Sequence, residues 1–295
     1  MIESGINRFR SVSTYYVTLI WGAVLILALV IDYVSQKPKH DKINKRSLYE
    51  KSTFVGESWS ATLMEVKGFN SFLSSKYETG LGWIDKAIEK AGYEFVYMPN
   101  HIANDHFPFT LEELNEYSCI ILSDVGADTL LIPSATFGAS KILPNRCQLL
   151  KDYVLGGGGL LMIGGYLTFN GVGAQGKWWA TPVQDVLPVE ILPYDDRMEH
   201  CEGVHAEVTL PDHPAFAGIE GEWPPVLGYN KSTIKPEAEL AATVCGDPFI
   251  AFGSYGEGKS AVFSSDCSPH WAPPEFCNWK YYDVLFKNIL DYIAK

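Results

Sequence analysis

Leu155–Gly171 reads LGGGGLLMIGGYLTFNG, and the fold turns on this stretch. Gly156, Gly157, Gly158 and Gly159 interrupt whatever precedes them. Leu160–Ile163 is a short apolar run, the size of a strand buried on both faces. Gly164-Gly165-Tyr166 then predicts a sharp turn, because glycine alone takes positive φ cheaply. Strand, tight turn and helix is the layout of a nucleophile elbow, whose tip should carry the nucleophile. Here the tip offers Gly165 or Tyr166, with neither Cys nor Ser. The four glycines are not a phosphate loop: they precede the strand and lack a G-K-[ST] ending.

Working outward, the pattern alternates. On the N-terminal side a strand at Ser52–Val55 ends in Gly56-Glu57-Ser58-Trp59, and Leu63–Val66 extends it or begins another. Leu81, Ile84, Ala87, Ile88 and Ala91 share one helical face, and Gly92 caps that helix. Tyr93–Met98 is a strand closed by Pro99-Asn100-His101. Thr110 and Glu113 form a capping box for a helix over 110–117. Cys119–Ser123 is a buried strand ending at Asp124, and Gln148–Leu155 is the helix before the elbow strand. On the C-terminal side a strand at Leu240–Val244 precedes a hairpin, 249–255 and 259–265, around Gly256-Glu257-Gly258. Asp266-Cys267-Ser268-Pro269-His270-Trp271 follows its second strand. A last helix from about Tyr281 carries the stripe Leu285, Phe286, Ile289, Leu290 and Ile293. Residues 172–235, rich in Pro, Trp and Gly, are read as an insertion over the sheet with one strand at Val204–Leu210. Trp178-Trp179 is assigned to packing rather than to a ligand.

Alternating strands and helices with short connections predict an α/β fold. Its mostly parallel sheet carries helices on both faces. Function in such sheets collects beyond the carboxyl ends of the strands. Glu57, His101, Asp124 and Tyr166 stand at such ends and are expected to converge.

The chain has 295 residues, 47% hydrophobic and 20% charged, enough for a substantial core. Its net charge of −12 argues against a nucleic-acid partner. Six scattered cysteines without C-x-x-C spacing read as reduced thiols. Tyr15–Val34 is apolar apart from Thr18 and Asp32, and its ~20 residues match a membrane-spanning helix. No cleavage site follows it, and a buried globular helix would not be apolar all round. More basic residues follow the span than precede it, so the bulk of the chain is expected in the cytoplasm. The expected organisation is an N-terminal segment over 1–36, a basic linker over 37–50 and a globular domain over 51–295. That makes a single-pass membrane protein, tethered through its N-terminal helix.

Several stretches carry a family resemblance. They are Gly56-Glu57-Ser58-Trp59, Lys67-Gly68-Phe69, Asn100-His101, Ser123–Leu131, Gly157–Phe169, Leu187-Pro188-Val189, Asp195–Glu199, Leu227–Asn230 and Asp266–Trp271. In their order and number they resemble the glutamine amidotransferase-like proteins of the class I amidotransferase superfamily, over residues 51–295. The resemblance implies a flavodoxin-like sheet. It also implies a Cys–His–Glu triad, with Cys at the elbow and His and Glu after a late strand. His270 stands at a suitable place, but the elbow Cys is missing and Ala272 occupies the usual position of the acid. Acyl transfer needs an activated nucleophile, and the Tyr166 phenol, with a reference pKa of ~10, is a poor one.

The candidate catalytic residues are therefore His270, Tyr166 and Cys267, the last three residues before His270. The candidate ligand pocket comprises Glu57, Trp59, His101, Asp124, Gly164, Gly165, Asp266 and Trp271. A divalent metal on Glu57, His101, Asp124, Asp266 and His270 is weighed and set aside, because their spacing is dispersed. No cofactor and no protein partner are specified. Asp195-Asp196-Arg197 is read as a salt-bridged turn. The favoured function is an amidotransferase-like domain that binds a small polar ligand without glutaminase chemistry. The rivals are a hydrolase with a non-standard nucleophile or metal, and a non-catalytic scaffold at the membrane.

Overall fold

A computed structural model describes residues 50–294, which lie within one unit spanning 48–295. The expected membrane segment, about 15–34, and the basic linker up to residue 49 lie outside the described residues. Among the described residues no helix is long and apolar enough to cross a membrane.

The strands are β1 (Lys51–Gly56), β2 (Ser58–Lys67), β3 (Asn70–Thr79), β4 (Glu94–Met98), β5 (Cys119–Ser123), β6 (Gly159–Ile163) and β7 (Val189–Ile191), followed by β8 (Arg197–Val204), β9 (Ala206–Val208), β10 (Val226–Asn230), β11 (Ser232–Ile234), β12 (Glu239–Val244), β13 (Asp247–Tyr255) and β14 (Gly258–Phe263). The helices are α1 (Ile84–Lys90), α2 (Asn100–His106), α3 (Leu111–Leu114), α4 (Ala127–Leu131), α5 (Ser134–Ala139), α6 (Arg146–Leu155), α7 (Pro274–Cys277) and α8 (Tyr282–Ile293).

Eight strands form the main sheet in the order β4-β1-β5-β6-β14-β13-β12-β9. The first five run parallel, and β13, β12 and β9 add antiparallel. Every residue of β5 and β6 is buried, as expected of strands covered on both faces. Successive side chains alternate between two cores. Phe54, Ile121, Leu161 and Phe263 face α1 and α8. Val55, Ile120, Leu160 and Val262 face α2 and α6. The stripe on α8 is fully buried and contributes roughly 2 kcal/mol per large side chain.

Several expectations are corrected or refined. The turn after β6 is not followed by a helix; a loop leads instead to a single helical turn at Val172–Ala174. The acids at 195 and 196 are more than a salt-bridged turn, because they hold this loop. Asp196 accepts from the backbone N–H groups of Asn170 and Gly171, each at 2.8 Å, and Asp195 from that of Gly173 at 2.8 Å. These side-chain acceptors stand in for the carbonyls a helix would supply. Leu63–Val66 does belong to a second strand, β2, but that strand starts at Ser58 and pairs with β3 in a long hairpin over 58–79, exposed on both faces. The insertion is more regular than expected: the strand placed at Val204–Leu210 is present as β9, at the edge of the main sheet, and β7, β8, β10 and β11 add to it. Trp178 is buried and donates to the Val125 carbonyl at 2.8 Å.

Candidate functional site

The carboxyl ends of β1, β5, β6 and β14 meet at one cavity of about 600 Å3. Glu57 follows β1 and Asp124 follows β5. Both have left-handed backbones, with φ of 46° and 43°, which costs a non-glycine residue about 1 kcal/mol or more. Neighbours hold them there. The Tyr97 hydroxyl donates to the Gly56 and Glu57 carbonyls at 3.1 and 3.2 Å. Asn100 Nδ2 donates to the Ser58 and Asp124 carbonyls at 2.7 and 3.3 Å. Gly56 must be glycine, because its Cβ would fall 1.8 Å from the Ser123 carbonyl oxygen.

The tip of the elbow is Gly165, with a φ of 156°. Asn230 holds it on both sides, accepting its N–H at 2.9 Å and donating to its carbonyl at 3.2 Å. A Cβ at Gly165 would lie 3.0 Å from Asp124 Oδ1. Asp124 thus occupies the ground beside the tip. Its Oδ1 also accepts the Leu167 N–H at 2.8 Å, and the Tyr166 N–H supports the same carboxylate. The N–H after an elbow nucleophile normally faces a reacting oxyanion. Here an internal carboxylate takes that donor.

Three carboxyls crowd the floor, Glu57 and Asp266 buried and Asp124 half-buried. Ser123 Oγ donates to Glu57 Oε1 at 2.7 Å, and Ser268 Oγ stands 3.4 Å from Glu57 Oε2. Burial first, then the Asp266 and Asp124 charges, pushes Glu57 well above the usual carboxylate range. Burial followed by Asp124 pushes Asp266 up to about 7. Burial also raises Asp124, against the pull of the Leu167 N–H and of His270. The contact between the Glu57 and Asp266 side chains raises Glu57 and lowers Asp266. His270 Nδ1 is 3.6 Å from Asp266 Oδ2, and no lysine or arginine pairs with these acids among the described residues.

Tyr166 forms a wall of the cavity. Its ring meets the His270 ring edge-on at 4.2 Å, its hydroxyl donates to Glu199 Oε1 at 3.2 Å, and the Arg197 guanidinium lies 4.9 Å above its ring. Burial and then Glu199 raise its phenol, so it is further from a phenolate than free tyrosine.

Of the sequence candidates, the structure brings Glu57, Trp59, Asp124, Tyr166, Asp266 and His270 to the cavity. Gly164 and Gly165 lie at its elbow; a Cβ on Gly164 would sit 2.1 Å from the Ser264 carbonyl oxygen. Three candidates are placed differently. His101 is exposed on α2 and meets Tyr77 of the hairpin edge-on at 5.4 Å. Trp271 is buried behind Tyr166, and its Nε1 donates to Glu199 Oε2 at 2.9 Å. Cys267 is fully buried, and burial with the Glu57 and Asp266 charges drives its thiol well above the ordinary range. That is the reverse of what a nucleophile needs. Glu57, Asp266 and Cys267 bring one ligand atom each within 4.8 Å of one another, so two of the five residues weighed for a metal, Glu57 and Asp266, converge, joined by Cys267, which was not among them.

Sequence reasoning missed Asn230, Asp196, Val172 and Gln175. Val172 and Gln175 line the cavity from the pinned loop. Leu227–Asn230 is among the stretches that carry the resemblance, a signal that pointed toward Asn230 without giving its role.

Residues 51–295 match the protein family described as "Putative glutamine amidotransferase". Among solved structures, a cytoplasmic protein from Salmonella typhimurium is 44% identical, with a TM-score of 0.81 over 83% of this chain and 99% of its own. A second cytoplasmic protein, from Salmonella typhimurium LT2, is 43% identical, with a TM-score of 0.80 over 83% of this chain and 100% of its own. No curated protein matches. These neighbours correct the expected single-pass membrane localisation. Both bear descriptions as cytoplasmic proteins and are matched over nearly their whole lengths, and no described helix here can span a bilayer. The expectation rested on the hydropathy of one segment outside the described residues.

Proposed function

This chain belongs to the glutamine amidotransferase-like family, and from that premise we propose that it binds a small polar ligand without glutaminase chemistry. One observation carries the reading. Asp124 lies where a nucleophile at position 165 would project, and its carboxylate is already supported by the Tyr166 N–H, the donor that follows that position, and accepts the Leu167 N–H as well. An acyl-enzyme needs both a nucleophile and a free oxyanion donor, and this elbow offers neither.

The lining supports a ligand rich in hydrogen-bond donors, an amine first. Asp266 and Asp124 supply acceptors, and the rings of Trp59, Tyr166 and His270 offer faces to a cation. The glycine at position 80 preserves this floor, because a Cβ there would fall 2.1 Å from Glu57 Oε2. Calorimetric titration of the full chain with putrescine, glutamine and acetate tests the reading. Putrescine binds and acetate does not, and Asp266→Asn weakens putrescine at least tenfold. Equal heats for all three, or binding indifferent to Asp266→Asn, would contradict it.

A second reading has one observation in its favour. A carboxyl held at about 7 beside His270 suits general acid–base work on a water. Turnover of any ester, amide or glycoside probe that is lost in Asp266→Asn would favour hydrolysis over binding alone.

A further inference from the structure

The hairpin of β2 and β3 stands apart from the core in composition as well as position. Its register pairs Trp59 with Glu78, Thr62 with Ser75 and Lys67 with Asn70. Side chains alternate along each strand, so the register sorts them into two faces. One face holds every charge: Glu65, Lys67, Lys76 and Glu78. These neutralise one another, Lys67 with Glu65 at 2.9 Å and Lys76 with Glu78. The other face holds Ser60, Thr62, Met64, Val66, Leu73 and Ser75, all exposed and none charged. Tyr77 leans from its base onto His101.

An uncharged exposed sheet face is unusual on a chain of net charge −12. Eight of the seventeen large apolar side chains exposed among the described residues belong to this hairpin. An isolated two-stranded hairpin is marginal in water, and concentrated apolar exposure marks an interaction surface. Two acidic bodies repel one another almost anywhere else. At this face a second copy brings no charge to oppose, and a two-fold axis sets the same face against itself. A standard interface uses roughly 20–30 residues a side. The uncharged face supplies ten of these from its two strands, with Ile102 of α2 exposed beside His101 at its base.

We propose that the uncharged face of the hairpin docks onto the same face of a second copy of this chain, forming a two-fold dimer. The contact is apolar and hydroxyl-lined, so it holds across ionic strength. The arm begins directly after Glu57 and returns at Gly80, so pairing also fixes the two chain ends that bound the acid cluster.

Analytical ultracentrifugation of the full chain tests this. The wild type sediments at twice the chain mass of 32.8 kDa, at low and high salt alike. Val66→Glu with Leu73→Glu places four like charges across the axis and weakens the dimer by about a hundredfold or more. Leu63→Glu, on the charged face, leaves it intact. Circular dichroism melts check that both variants keep the wild-type fold, as expected because the substituted residues lie outside both cores. A monomeric wild type, a dimer untouched by the double substitution, or equal dissociation by Leu63→Glu would each overturn the proposal.

Discussion

Arg146 and the carboxyls Glu57, Asp124 and Asp266 are all ionisable groups largely withdrawn from solvent, but their neighbourhoods differ. Arg146 is fully buried at the start of α6. It donates to five backbone carbonyls, Leu130, Ala103, Phe107, Asn104 and Thr129, at 2.7–3.3 Å. Those carbonyls come from the ends of α2 and α4, which a short helix leaves unpaired. Its guanidinium also lies 4.5 Å from the centre of the Phe109 ring. The acids have few donors, repel one another, and face a cavity. A charge saturated with partners is structural. Acids without a lysine or arginine partner beside open space retain capacity for a ligand. Asp196 sits between the extremes: burial raises it to about 6, while Asn230 and the Asn170 and Gly171 N–H groups pull it down.

The contrast predicts a ranking of effects. Arg146→Ala strands five buried carbonyls and costs about 3–5 kcal/mol in denaturant unfolding. Arg146→Lys recovers only part, lacking the guanidinium fork. Asp196→Ala frees the loop after the elbow and costs about 2–3 kcal/mol, with faster hydrogen exchange at Asn170 and Gly171. Gly165→Cys costs about 1–3 kcal/mol, from an unfavourable φ and contact with Asp124, and creates no glutaminase. Asp266→Asn has the smallest cost at neutral pH and raises stability there. The sign follows from linkage. A carboxyl raised from 3.8 to about 7 binds its proton more tightly when folded. Its contribution is full below pH 3.8 and is lost as pH rises toward about 7. The wild type therefore loses stability relative to Asp266→Asn across that window, measured by melting temperature. A penalty for Asp266→Asn as large as that for Arg146→Ala would erase the contrast.

The sheet was legible because buried strands such as Cys119–Ser123 and Gly159–Ile163 are apolar throughout, and short turns separate them from amphipathic helices. The capping box at Thr110 and Glu113 forms as read. The gathering of Glu57, Asp124, Tyr166, Asp266 and His270 followed from strand order, since each sits just past a strand end. The roles inside that group were not legible. That Asp124 fills the ground beside Gly165 depends on two left-handed backbones, which no periodicity encodes. Cys267 looked available in sequence, but its burial depends on packing between β14 and α7. The hairpin escaped notice because apolar residues on both of its faces blur the two-residue alternation. The loop after the elbow looked helical until its donors were traced to Asp195 and Asp196, some twenty-five residues away.

Ammonia release from glutamine by the full chain is the most direct test of the central claim. With Gly165 at the elbow and Asp124 on the Tyr166 and Leu167 N–H groups, the rate stays at that of a buffer blank, for wild type and Asp266→Asn alike. Release that survives repurification and vanishes in Asp266→Asn would contradict the account and give the buried acids the catalytic role denied to the elbow.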